Sequence, residues 1–295
     1  MFQTNAESAL IRMRRLKKAL KWIVCFLVLF VAGYFIFSLI VRPSLDRDWN
    51  KDQAVLARAT IDGDRVTITN IRNINYRSTS DYDVRYYDKS FDLKKLESVW
   101  YVVEPFSGHG FGAAHTLMSF GFEGGDYVAI SAEIRKEKGE SFSAVKGLFR
   151  QYEIVYVIAD ERDVIKLRSN YRRDKVFLYP VKTSRENMRK MFLSMLNRAN
   201  KLATKPEFYN TLVNTCTTSI VGHVNEISPG KVPWSLKTLM PAHSDELAYK
   251  LGLLDTSETN GGTLTLEEMR NRYLINERAE KFKDDPNFSE KIRSF

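Results

Sequence analysis

The chain has 295 residues, 44% of them hydrophobic, and a formal net charge of +9. That length and apolar share exclude a disordered chain and provide for a sizeable core. The charge is uneven: within residues 1–41, Arg12, Arg14, Arg15, Lys17, Lys18 and Lys21 face one acid, Glu7, so this stretch supplies +5 and the rest only +4. A nucleic-acid partner calls for a basic face on the folded domain rather than a terminal cluster, so none is expected.

The cluster precedes "WIVCFLVLFVAGYFIFSLIV", residues 22–41, which carries no charge. At about 1.5 Å rise per residue such a run spans a hydrocarbon core. A cleaved signal peptide is disfavoured, because the run is long for an h-region and no A-x-A-like site follows it. The expected organisation is a basic cytoplasmic tail (1–21), a transmembrane helix (22–41), a polar linker (42–54) and an extracytoplasmic domain (55–295). The six cations before the span, against Arg42, Arg47 and Lys51 after it, place the N-terminus in the cytoplasm by the positive-inside rule. The span then sits in the inner (cytoplasmic) membrane as a single pass.

In the domain, "RVTITNIRNINYR" alternates apolar and polar residues at a period of two, a strand signal. "VRYYDKSFDL" and "VWYVVEPF" continue in the same β-prone manner. The runs flanking "EGGD", residues 123–126, predict a hairpin. "YEIVYVIADERDVIKLR" adds an apolar strand ending in a charged loop, and "KVFLYPV" a further short strand. The sheet is therefore expected to be mostly antiparallel. After Pro180 the period changes: Met188, Met191, Phe192, Met195 and Leu196 fall at helical spacing behind Ser184 as N-cap. "TLTLEEMRNRYLINERAEKF" carries a second helical pattern capped by Thr265. One α+β domain with packed helices behind one membrane helix follows from this pattern. "ADERD", residues 159–163, is a charged run that could meet a polar head group, although such runs are usually solvated.

Only two cysteines occur, Cys25 in the apolar run and Cys216 in "YNTLVNTCTTSIVGHVN". Cys216 has no intrachain disulfide partner in its domain, leaving an inert buried thiol, an intermolecular crosslink or a nucleophile. Asn214 or Thr215 could cap a helix starting at Cys216, and such a start lowers a thiol pKa and offers backbone N–H groups to an oxyanion. Asn214 and Thr217 are the supporting positions there. The general base would be one of four histidines. His115, in "AAHTLMSFGF", lies on the first hairpin strand, whereas His109 lies in a glycine-flanked loop and His243 in a loop leading to a helix. His223 lies two helical turns, roughly 10 Å, from Cys216. His115 is the candidate base. Glu133, on the return strand, is the candidate orienter; a four-residue "EGGD" loop would set His115 opposite Ile134, so Glu133 needs a one-residue register shift or a bulge. Histidine and cysteine spacing suggests no metal site, and no glycine-rich phosphate motif occurs.

"ITNIRNINYRS", "AHTLMSFGF", "ISAEIRKEKGESFS", "GLFRQYEIVYVIADERDVIKLR", "LYPV", "RANKLATKPEFYNTLVNTCTTSI", "LLDT" and "INERA" together resemble the Lnb N-terminal periplasmic domain family, over about residues 60–295. The family is similar to permuted papain-like proteins, in which the histidine strand precedes the cysteine helix. The resemblance implies a permuted papain-like α+β fold, with Cys216 as nucleophile and His115 as base; Glu133 is assigned as the third member. "NTCTT" departs from an "NNCTT"-like segment at Thr215. It further implies a thiol acyltransferase or hydrolase needing no cofactor, which takes an acyl group from a membrane lipid as a thioester and passes it to a lipoprotein amine. A cysteine peptidase or amidase acting on envelope peptides, and a non-catalytic envelope-binding domain, are the competing expectations.

Overall fold

The computed structural model describes residues 2–106, 112–235, 238, 240–258 and 261–295. The chain forms two units, residues 1–43 and 44–295. The first is one helix, α1 (Phe2–Ile40). The basic stretch expected as a separate tail is thus helical and continuous with the apolar run. Apolar side chains from Trp22 to Ile40 are exposed along it, which water would not tolerate and a bilayer would cover.

The second unit is α+β. Its strands are β1 (Arg58–Asp62), β2 (Arg65–Arg72), β3 (Asn75–Tyr76), β4 (Tyr82–Asp83), β5 (Tyr86–Asp92), β6 (Leu96–Pro105), β7 (Ala114–Phe122), β8 (Asp126–Arg135), β9 (Glu153–Ala159) and β10 (Phe177–Pro180). The main sheet runs β1-β2-β9-β8-β7-β6-β10, with β5 on β2. It is antiparallel except where Arg72 of β2 meets Ala159 of β9. The helices that matter for the site are α2 (Ala144–Leu148), α3 (Glu161–Lys166), α4 (Arg185–Leu202) and α5 (Cys216–Ile227).

Alternation along the strands feeds a core on each side of the sheet. Met118, Phe120 and Ile130 pack with Phe192 and Met195 of α4 and Ile220 of α5. Leu117, Ala129 and Val157 pack with Val164 and Ile165 of α3 and with Ile275 and Phe288. The Met and Phe stripe of α4 is core packing: Phe192 is fully buried, 4.9 Å from the ring of Phe120 and 5.5 Å from that of Phe122. Ser184 caps α4 by accepting from Asn187 N.

Four expectations need revision. Residues 44–54 are not a free linker. Ser44 N donates to Glu153, Arg47 pairs with Glu137 and Glu153, and Trp49 and Gln53 are buried. The second C-terminal helical pattern is two helices, Leu266–Tyr273 and Asn276–Lys281. Between them Leu274 bridges to Phe177 and Ile275 N donates to Val176 O, so strand-like pairing overrides the helical period. The hairpin loop holds three residues, Glu123 to Gly125, because Phe122 pairs with Asp126. Gly124 and Gly125 turn it with φ of 90° and 80°, the left-handed region that favours glycine. Finally, the "ADERD" run is mostly buried. Asp160 caps α3, Glu161 pairs with Arg293, and Asp163 accepts from Arg72, Ile74 N and Tyr76.

Such buried carboxylates persist only because every oxygen is engaged. Asp163→Ala, which strands the Arg72 guanidinium, should lower unfolding stability by about 3–5 kcal/mol. Glu186→Ala, which breaks the exposed Glu186–Lys190 pair, should leave the denaturation midpoint unchanged. Urea titration of both variants in detergent, followed by circular dichroism, checks this contrast.

Candidate functional site

The segment before α5 is pinned locally. Asn210 and Asn214 exchange backbone hydrogen bonds of 2.9 and 3.3 Å, and Asn210 Oδ1 accepts from Leu212 N. Thr215 is the N-cap: its hydroxyl accepts from Thr218 N at 3.2 Å, and Thr218 Oγ1 accepts from Thr215 N at 2.7 Å. This capping box satisfies the N3 donor. The N–H groups of Cys216 and Thr217 have no partner among the described residues, as expected for the first turn of a helix. Cys216 is therefore the first residue of the helix, 7% exposed, beside two backbone donors.

α5 is latched to β7 one residue beyond each candidate. The hydroxyls of Thr116 and Thr217 lie 3.1 Å apart, and Thr217 Oγ1 is 3.8 Å from Cys216 Sγ. Thr217 thus docks the helix through its side chain. Asn214 does not line the cavity with Cys216; its amide donates to Phe208 O at 2.9 Å and shapes the loop.

On β7, His115 pairs with Glu104 of β6. The β7–β8 ladder runs from Phe122–Asp126 to Met118–Ile130; continued at that register it sets Glu133 opposite His115. The one-residue shift that Glu133 required is supplied by the shorter loop. His115 Nε2 lies 3.6 Å from Glu133 Oε1, and the hydroxyl of Ser131 sits between them, 2.7 Å from Nε2 and donating to Oε1 at 2.9 Å. With its proton on Glu133, Ser131 must accept from His115, so Nε2 carries hydrogen and Nδ1 holds the lone pair. Nδ1 has no hydrogen-bond partner among the described residues.

Arg168 completes this layer. It lies in a π-helical turn, Leu167–Arg172, that continues α3. Its guanidinium donates to Glu104 at 2.7 Å and to Glu133 at 3.0 Å, and Arg172 reaches the other Glu104 oxygen at 3.2 Å. Gln53 donates to Ile134 O at 2.9 Å beside Glu133. Burial, reinforced by Arg168, pushes His115 down from 6.5 to about 3 despite Glu133, so the imidazole is neutral near pH 7. Burial alone would raise Glu133, but Arg168, His115 and Arg72 outweigh it and hold the carboxyl well below its usual range.

Cys216, His115 and Glu133 line one cavity of about 170 Å³ together with Ala132, Lys136, Phe142, Arg168, Arg172 and Tyr209. No hydrogen bond joins Cys216 to His115 there. His223 lies elsewhere, with Nε2 2.8 Å from Tyr156 and Nδ1 2.7 Å from Ser194, as a satisfied buried residue. His243 ends a short 3₁₀ turn before the helix Ser244–Lys250. His109 lies outside the described residues. Among the described residues no group of three or more His, Cys, Asp or Glu could hold a metal ion.

Ser131 and Arg168 were not singled out from the sequence. Ser131 was legible in principle, two residues from Glu133 on the same strand face. Arg168 carries no local signal, since only the tertiary fold brings its turn over β6 and β8.

The family model described as the Lnb N-terminal periplasmic domain matches residues 82–242, more than half of the chain and inclusive of β7, β8 and α5. No curated protein and no solved structure matches the chain.

A neutral His115 ties stability to pH. Its folded value is below the unfolded one, so its contribution is complete above about pH 6.5 and is lost as pH falls toward about 3. His223, lowered to about 4 mainly by burial, acts in the same direction. Glu133 is held below its ordinary 4.5, so its contribution is complete above that value and is lost only as pH falls below it. His115→Gln should therefore flatten the loss of stability between pH 6.5 and 4.5, leaving the steeper loss below it. Denaturation midpoints across that window test this.

Proposed function

Because the chain belongs to the Lnb N-terminal periplasmic domain family and carries one long apolar N-terminal helix, making it a membrane-anchored extracytoplasmic protein, we propose that its domain is a thiol acyltransferase or hydrolase acting on a membrane lipid. The observation that supports this reading is the shared cavity: a helix-initial cysteine, an imidazole whose Nδ1 has no partner among the described residues, and a serine-linked carboxylate behind it. The histidine strand precedes the cysteine helix, the order of the permuted papain-like enzymes that the sequence resembles.

The Cys216 thiol gives its proton to His115 Nδ1 as sulfur attacks a phospholipid ester carbonyl. The oxyanion is met by the Cys216 and Thr217 N–H groups. Collapse breaks the ester C–O bond; the lysolipid oxygen takes the proton from His115, and an acyl thioester remains on Cys216. An amine, such as a lipoprotein N-terminus, then attacks the thioester while His115 removes its proton, and the C–S bond breaks to restore the thiol. Water in place of the amine gives a free fatty acid. While His115 is protonated, its Nε2–H stays hydrogen-bonded to Ser131, which donates to Glu133, and that carboxylate orients and stabilises the imidazolium. In this topology the N-terminus of α1 is cytoplasmic and the span lies in the inner membrane.

Incubation of the full chain with radiolabelled phospholipid should leave a hydroxylamine-sensitive acyl group on the wild type and none on Cys216→Ala. His115→Ala should slow acylation by about 10²–10⁴-fold. Ser131→Ala should slow it by about tenfold, with the pH profile shifted, if Ser131 positions the imidazole. Cleavage of envelope peptides by a chain that never acquires acyl label would replace this reading with a peptidase. Normal complementation by Cys216→Ser would replace it with a binding domain.

A further inference from the structure

The cavity that contains Cys216 opens among side chains that a water-facing entrance would not favour. Phe142 lines the cavity and is 53% exposed, its ring stacked edge-on 6.5 Å from that of Tyr209. Nearby, Val145 on α2 is 63% exposed, and Leu212 and Val213, in the loop that leads to Cys216, are 53% and 75% exposed. The two segments are joined, because Thr211 Oγ1 donates to the Ala144 carbonyl at 2.7 Å. The apolar residues therefore form one patch, and isolated exposed residues would need no such explanation.

Its surroundings carry both charges with cations in excess, since Glu137 and Glu140 share the flanking segment, Lys138 pairs with Asp48 and Arg172 with Glu104. Lys136 lines the cavity, Lys138 and Lys146 flank the Phe142 segment, and Arg172 lies on the cavity wall. A lipid surface combines these two demands, an apolar interior beneath a layer of anionic head groups. Connectivity within the folded unit points the same way. Ser44, its first residue, donates to Glu153, which pairs with Arg135 at the end of β8 and bridges to Phe208, next to Tyr209. The first residue of the folded unit thus lies at the same end of the sheet as the cavity.

The geometry points to an interfacial docking surface: Phe142, Val145, Leu212 and Val213 insert into the outer face of an anionic bilayer and bring the mouth of the Cys216 cavity against lipid. This rests on the proposed reading of the cavity as a lipid-processing site and adds the route by which an acyl donor enters without crossing water. The lysines contact phosphate head groups while the apolar side chains sit below them.

The test uses the full chain reconstituted in vesicles of phosphatidylcholine and phosphatidylglycerol. In a Cys25→Ser, Cys216→Ser background, Val213→Cys and Val145→Cys are labelled separately with an environment-sensitive fluorophore, and Glu267→Cys, on an exposed helix remote in sequence, serves as control. Lipids carrying a nitroxide near the head group should quench positions 213 and 145 at least about twofold more than position 267, and the emission at both should shift to the blue. Replacing phosphatidylglycerol by phosphatidylcholine should reduce the difference. Quenching at 213 and 145 no greater than at 267 overturns the proposal. Acyl-thioester formation is read separately on the unlabelled wild type, so a failed insertion and a failed acyl chemistry give different results.

Discussion

Arg168 holds the candidate site together. Glu104, His115 and Glu133 lie in a row across three neighbouring strands, β6, β7 and β8, and the Arg168 guanidinium bonds the two outer carboxylates at 2.7 and 3.0 Å. Two carboxylates this close would repel and resist burial; one cation between them makes the layer tenable. The cation itself comes from a π turn, a wider winding than the α-helix before it, which also brings Arg172 onto Glu104. The sheet, α3 and the site are therefore joined in one electrostatic unit. Loss of Arg168 would unbalance two buried acids at once, so its removal would act on stability and site geometry together.

The same cluster shapes what His115 can do. Burial and Arg168 disfavour the imidazolium, while Glu133, reached through Ser131, favours it. The result is a neutral ring whose tautomer is set by a hydroxyl rather than by direct contact with a carboxylate. The ring keeps its lone pair at neutral pH, and once it takes a proton the Ser131 hydroxyl and the Glu133 carboxylate behind it are placed to stabilise the charge.

Much of this arrangement was legible in the sequence, for physical reasons that differ from element to element. Period-two alternation exposed the strands, and the Met and Phe stripe with Ser184 exposed α4, because one-sided burial leaves a repeat. Cys216 stood out as the sole thiol of its domain before a helical run. The hairpin register could not be read reliably from "EGGD", since two consecutive glycines allow the turn to close after either three or four residues. The charged "ADERD" run was misleading because local composition cannot show that Arg72 and Arg293, roughly ninety and one hundred and thirty residues away in sequence, meet its acids. The helix break at Leu274 likewise depends on a strand edge that lies elsewhere in the chain.

The cap of α5 closes the box with Thr218, where such motifs commonly use a glutamate or glutamine. The first turn therefore carries no acidic side chain. A carboxylate at position 218 would serve the fold, since it suits a helix start and would strengthen the box. It would also occupy, with its own negative charge, the field into which an oxyanion beside Cys216 must develop. Stability and chemistry thus favour different residues at this one position, and threonine is the choice that keeps the helix start closed and the positive end of its dipole unclaimed.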